Sequence, residues 1–137
     1  MTPTRGIRNN NPLNIRHGSQ WLGLRPEQTD SSFCQFESMT YGIRAAIKLI
    51  RNYITGWNGR RRKRNTIDAI IRRWAPPLEN ATEKYIRFVA DQSGLHRYQI
   101  IYADRDDMIY RILEAMCKME SNYHLSMEMF QTAWALK

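Results

Sequence analysis

Cysteine is scarce, with only Cys34 and Cys117 in 137 residues. Two cysteines build no disulfide framework, so free thiols of a reducing cytosol are expected. Long apolar runs are missing too. None approaches the roughly 20 residues that cross a bilayer, so no membrane insertion is expected. The polar, basic opening has no apolar core of a Sec-type signal, so synthesis in the cytoplasm is expected. Acid is in deficit, with 13 Asp and Glu against 21 Lys and Arg, a net charge of +8. No G-x-S-x-G elbow, P-loop or G-x-G-x-x-G is present. His17, His96 and His124 are scattered without zinc-site spacing. Neither a metal nor an organic cofactor is expected. What is present excludes a disordered tail: 42% apolar and 11% aromatic residues. The length suits one monomeric domain that buries about two-thirds of its unfolded surface.

The positive charge is concentrated. Arg60, Arg61, Arg62, Lys63 and Arg64 are consecutive, and removing these five charges from +8 leaves an ordinary +3. Such a run is either a solvated, mobile loop between Gly56, Gly59 and Asn65 or a site for nucleic acid, an anionic membrane face or another polyanion. No aromatic side chain interleaves the run, as a single-strand binding platform would require. No nearby helix offers the residues of a major-groove reader.

Periodicity places the elements in one mainly helical domain with a small β lobe. Asn9-Asn10-Asn11-Pro12, Gly18, Gly23 and Pro26 break up the first third. Within it, residues 13–16 and 33–36 are expected to pair as a hairpin. The β lobe is assigned to residues 12–37 and the helical lobe to residues 38–137. Ile43, Ala46, Ile47, Ile50, Tyr53 and Ile54 mark a helix over 40–55. Thr66 caps a second helix carrying Ile67, Ile70, Ile71 and Trp74, which Pro76-Pro77 ends. Asn80 with Glu83 reads as the capping box of a third, closed by Gly94. The fourth is the most regular, with Met108, Ile109, Ile112, Leu113, Met116 and Cys117 on one face. A last short helix covers 127–136.

One residue breaks that face. Position 120 lies three, four and seven residues after Cys117, Met116 and Leu113, yet it is Glu120. On an apolar stripe at a helix C-terminus, desolvation and the helix dipole both favour the protonated carboxyl. A carboxylic acid of that kind protonates leaving oxygens in glycosidases. The bland alternative is a helix frayed by Met119, with Glu120 in water. Cys34 with His17 resembles a thiol pair on paper, but the context F-C-Q-F favours a half-buried thiol. Trp21, Phe33, Phe36 and Tyr41 read as packing or as platforms for sugar rings. Asp30, Glu37 and Glu79 read as loop or cap carboxylates.

Several stretches carry two resemblances. Gly6-Ile7-Arg8-Asn9-Asn10-Asn11-Pro12-Leu13-Asn14-Ile15-Arg16 resembles the opening of small phage and prophage proteins of bacteria. Arg73-Trp74-Ala75-Pro76-Pro77-Leu78-Glu79-Asn80-Ala81-Thr82, ending in Tyr85, fits the same group. Asn10-Asn11 through Arg16, Trp21-x-Gly23 and Phe33-x-x-Phe36 are also similar to the sugar-binding portion of bacterial glucosaminidases. Glu120-Ser121-Asn122-Tyr123, followed by Gln131-Thr132-Ala133, resembles the Glu-Ser-x-aromatic motif of lytic transglycosylases and their Gln-containing helix. The order of the pieces is rotated, so the resemblance implies a circularly permuted lysozyme-like fold.

The implied activity is peptidoglycan cleavage on the glycan strand, as a lytic transglycosylase or a muramidase. In it Glu120 is the catalytic acid and base. Glu37 and Asp30 are candidate second carboxylates should the acceptor be water. Tyr85, Trp21, Asn10, Asn11, Asn14 and Gln131 would contact the substrate. Action at the cell wall, after release or as part of a virion, is the expected setting. A reading of another class stays open: a non-catalytic phage structural or nucleic-acid-associated protein using the 60–64 loop.

Overall fold

The computed structural model describes residues 2–75 and 78–136. Its regular elements are helices, and the chain forms two compact units. The first is Met1–Ile47 with Met116–Lys137, and the second is Lys48–Ala115. Among the described residues no helix is long and apolar enough to cross a membrane.

In the first unit, α1 (Arg5–Arg8) is a single turn capped by Thr4, whose Oγ1 accepts from the Ile7 amide. The asparagine loop follows. Asn11 is fully buried; its Nδ2 donates to the Ile15 and Cys34 carbonyls, and its Oδ1 accepts from the Ile15 amide. Asn10 and Asn14 take left-handed backbone at φ 51° and 55°, a region asparagine tolerates better than most residues.

The expected hairpin is reduced to two isolated antiparallel bridges, Arg16 with Phe33 and Leu24 with Phe36, and no strand forms among the described residues. Side-chain amides replace the ladder. Gln28 Oε1 accepts from the Gln35 amide, and Gln35 Oε1 accepts from the amides of Thr29 and Asp30. Backbone groups satisfied in this way need no partner strand.

α2 (Met39–Gly59) contributes to both units. In the first, Gly42 lies against the Asn10 carbonyl so closely that a Cβ would fall on its oxygen. Residues 127–136 behave as expected: α6 (Met127–Ala135) is capped by Ser126, with Phe130 and Ala133 buried.

In the second unit, α3 (Ile67–Trp74) has the expected Thr66 cap, with Oγ1 accepting from the Ala69 amide at 3.1 Å. Ile67, Ile70 and Ile71 are fully buried, each stabilising the core by roughly 1.5–3 kcal/mol relative to exposure. The Pro76-Pro77 stop lies outside the described residues. α4 (Glu79–Ser93) starts after Leu78 with no side-chain cap, so the capping box is not formed. Asn80 lies inside the helix, and Glu83 instead accepts from Arg97 at 2.7 Å. Arg97 also holds Asp68 at 2.6 Å, tying α3 to the segment after α4. Gly94 closes α4 in the left-handed conformation, as expected. α5 (Asp106–Ser121) carries the predicted apolar face, with Met108, Ile109, Ile112 and Leu113 buried.

The right-handed path of α2 ends near the predicted position. Gly56, Trp57 and Asn58 then form a left-handed turn, with φ 63°, 53° and 58°. The turn organises the basic run. The Arg61 amide donates to the Gly56 carbonyl at 2.8 Å, and the Arg64 amide donates to the Tyr53 carbonyl at 2.7 Å.

Candidate active site

α5 does not fray before Glu120. The helix runs to Ser121 and closes on Asn122, at φ 51°. The Asn122 amide donates to the Lys118 carbonyl, and the Tyr123 amide reaches the Cys117 carbonyl. The left-handed Asn122 with its bond to the Lys118 carbonyl is the αL cap, with asparagine in glycine's usual place. Glu120 is half-buried on the last turn, next to the fully buried Met116 and Cys117. Burial pushes the Cys117 thiol up in pKa, and the charge of Glu120 adds to that shift.

The N-terminal loop rests on this turn. Asn14 Nδ2 donates to the Glu120 carbonyl at 3.3 Å. Thr4 Oγ1 donates to the Ser121 carbonyl at 2.7 Å, and a Cβ on Gly6 would fall on Ser121 Oγ. Two buried polar atoms here, Asn14 Oδ1 and Ser121 Oγ, have no hydrogen-bond partner among the described residues.

The other predicted residues of the first unit fall into two groups. Asn10 and Asn11 build the loop, Asn10 through a bond from Nδ2 to the Phe36 carbonyl at 3.1 Å. Asp30 also serves the fold: it pairs with Arg5 at 2.6 Å and accepts from Asn9 Nδ2 and the amides of Ser32 and Phe33. The Arg5 guanidinium, followed by the Phe33 amide, holds its carboxyl far below the usual range. The second group is open to solvent. Glu37 and Gln131 are exposed. Trp21 is half-buried and lines a groove of about 630 Å³ with His17, Gln20, Arg25, Gln28 and Cys34. Its Nε1 is buried without a partner among the described residues.

No family model matches the chain. It is 40% identical over 121 residues to Protein P5 of Pseudoalteromonas phage PM2, covering 85% of this chain and 71% of that protein. The chain belongs to the family of that phage protein.

In this P5-family chain the predicted residues divide between the two units. Glu120, Asn10, Asn11, Asn14, Trp21, Asp30, Glu37 and Gln131 belong to the first. Tyr85 belongs to the second, buried on α4. The 60–64 run belongs to the second as well. There the fold brings aromatics near the run that the local sequence does not interleave with it. Arg61 lies over the Trp57 ring at 4.8 Å, and Lys63 lines a groove with Tyr102. The turn residues of G-W-N-G were the available signal, because they fold the run back toward Trp57. Among the described residues of this P5-family chain, no group of three or more His, Cys, Asp or Glu is gathered to hold a metal.

Proposed function

We propose that the chain is a peptidoglycan-cleaving glycosidase, a circularly permuted relative of lysozyme-like enzymes. In this reading Glu120 is the acid and base. The observation that carries it is the bond from Asn14 to the Glu120 carbonyl, which joins segments 106 positions apart. Those are the segments that resemble the sugar-binding and catalytic parts of lytic glycosidases. Kinship with a phage protein supports delivery to the wall by a virion or on lysis.

The protonated Glu120 carboxyl gives its proton to the leaving glycosidic oxygen as an oxocarbenium-like transition state develops. The carboxylate then takes the proton of the muramoyl C6 hydroxyl as that oxygen closes an anhydro ring on C1. This branch needs one carboxylate; the engagement of Asp30 with Arg5 leaves Glu37 as the candidate second carboxylate of the hydrolytic branch. Trp21 supplies an aromatic face to the sugar. Asn10 and Asn11 act by building the loop rather than by touching the glycan.

The test is glycan release from purified peptidoglycan by the full chain and by Glu120→Gln, with circular dichroism to confirm the fold. Loss of release in the variant, with anhydromuramoyl ends in the wild-type products, supports the reading. Reducing muramoyl ends would transfer it to the hydrolytic branch with Glu37. Full activity of Glu120→Gln would overturn it.

A further inference from the structure

The second unit carries most of the positive charge, 14 basic against 8 acidic residues, or +6 of the total +8. Four of its eight carboxylates pair with arginines outside the basic run: Asp68 and Glu83 with Arg97, Glu79 with Arg72, Asp107 with Arg105. Among the described residues, none of the five side chains of the 60–64 run forms an ion pair. The run is also ordered rather than loose. Three backbone bonds pin it to the end of α2, from the amides of Arg60, Arg61 and Arg64 to the carbonyls of Trp57, Gly56 and Tyr53. Holding Trp57 in the left-handed region opposes its intrinsic preference, so the surrounding bonds must maintain this presentation.

Beside the run lies a groove of about 500 Å³. Thr55, Asn58, Lys63, Asn65, Ile100 and Tyr102 are among the residues that line it. Ile101 is buried and its amide donates to the Asn65 carbonyl, which anchors the 100–102 segment to the end of the run. Ile100 and Tyr102 are left 44% and 56% exposed.

We propose that this groove binds single-stranded nucleic acid. Lys63 on the groove, with the unpaired arginines beside it in the chain, tracks the phosphates, and Tyr102 offers a ring for a base to stack on. The Arg61 guanidinium, stacked on Trp57, offers a second planar surface. Asn58, Asn65 and Thr55, all polar, also line the groove and are of the type that bonds base edges and sugars. The concave shape suits a strand rather than a flat bilayer. Sequence-specific reading of a duplex would need an element that enters the major groove, and the run lies on a loop; the stacking ring of Tyr102 is what favours an unpaired strand. The site lies wholly in the second unit and is independent of the Glu120 reading.

The experiment is fluorescence anisotropy of the full chain with labelled oligothymidylate. A duplex of equal length and phosphatidylglycerol vesicles serve as competing probes. Tyr102→Ala is expected to weaken single-strand binding roughly five- to a hundredfold, and Tyr102→Phe to keep it. Arg61→Ala with Lys63→Ala is expected to flatten the log–log salt dependence by about 0.7 for each phosphate that the variant no longer neutralises. Glu120→Gln should bind as the wild type does, which separates this site from the proposed catalysis. Equal or tighter binding of the duplex, preference for the vesicles, or wild-type affinity in Tyr102→Ala would each overturn the proposal.

Discussion

Asn14 spans 106 positions of sequence to bond the Glu120 carbonyl at 3.3 Å, from backbone at φ 55°. Carbonyls in the last turn of a helix lack intrahelical donors, so this amide completes the end of α5. Two variants separate its contributions. Asn14→Gly keeps the left-handed backbone and removes the donor, at a cost of about 1 kcal/mol. Asn14→Ala removes the donor and strains the backbone by a further 1–2 kcal/mol or so. Urea denaturation midpoints measure both, and equal stability of the two variants would rule out a role for the backbone angle.

The Asp30–Arg5 pair sets an acid limit on the first unit. Arg5 holds the folded-state Asp30 value well below the ordinary aspartate value of about 3.9. The stabilisation is therefore complete above that value and is lost as pH falls toward the folded-state one. Asp30→Asn is expected to be less stable than the wild type at neutral pH, with the gap closing in acid. Thermal midpoints of both proteins at neutral pH and at about pH 3 check this. A gap that does not change with pH would show that the carboxylate charge is not what stabilises the loop.

Helices whose apolar residues recur at three and four were legible from the sequence: the stripe of α5, the Thr66 cap and the Gly94 stop each follow from local chemistry. The 13–36 region was not, because Asn11, Gln28 and Gln35 satisfy backbone groups with side-chain amides. Amide side chains leave no period to read. The capping box at Asn80 failed for a related reason: Glu83 had a stronger partner in Arg97, a cation distant in sequence. At the candidate site, the placement of Glu120 in a helical last turn was readable from spacing. The bond to it from Asn14 was not, since no local pattern encodes a contact across 106 positions. The aromatic setting of the basic run was hidden for the same reason, because Tyr102 reaches it only through the fold.

Both thiols are expected to be silent in the folded protein. Cys34 and Cys117 are buried, and burial pushes each thiol up in pKa. Thiol reagents attack the thiolate, so protection comes from low access and low thiolate population together. An Ellman titration at about pH 8 should find no reactive thiol in the native chain and two after denaturation in urea. Rapid native labelling of either cysteine would mean that its neighbourhood opens.

Gly56 tests the ordering of the basic run from the backbone side. It sits at φ 63°, and a Cβ there would fall on the Arg61 carbonyl oxygen, which is backbone and unable to swing away. Gly56→Ala therefore combines left-handed strain with a steric conflict, together about 2–4 kcal/mol. Relief requires the 60–64 segment to leave its bonds to Gly56 and Tyr53. The variant should lose stability by denaturant titration and lose protection of the Arg61 and Arg64 amides in hydrogen exchange. Its basic side chains all remain, so any fall in oligonucleotide affinity would come from lost order rather than lost charge. Unchanged amide protection would show that the left-handed turn does not hold the run in place.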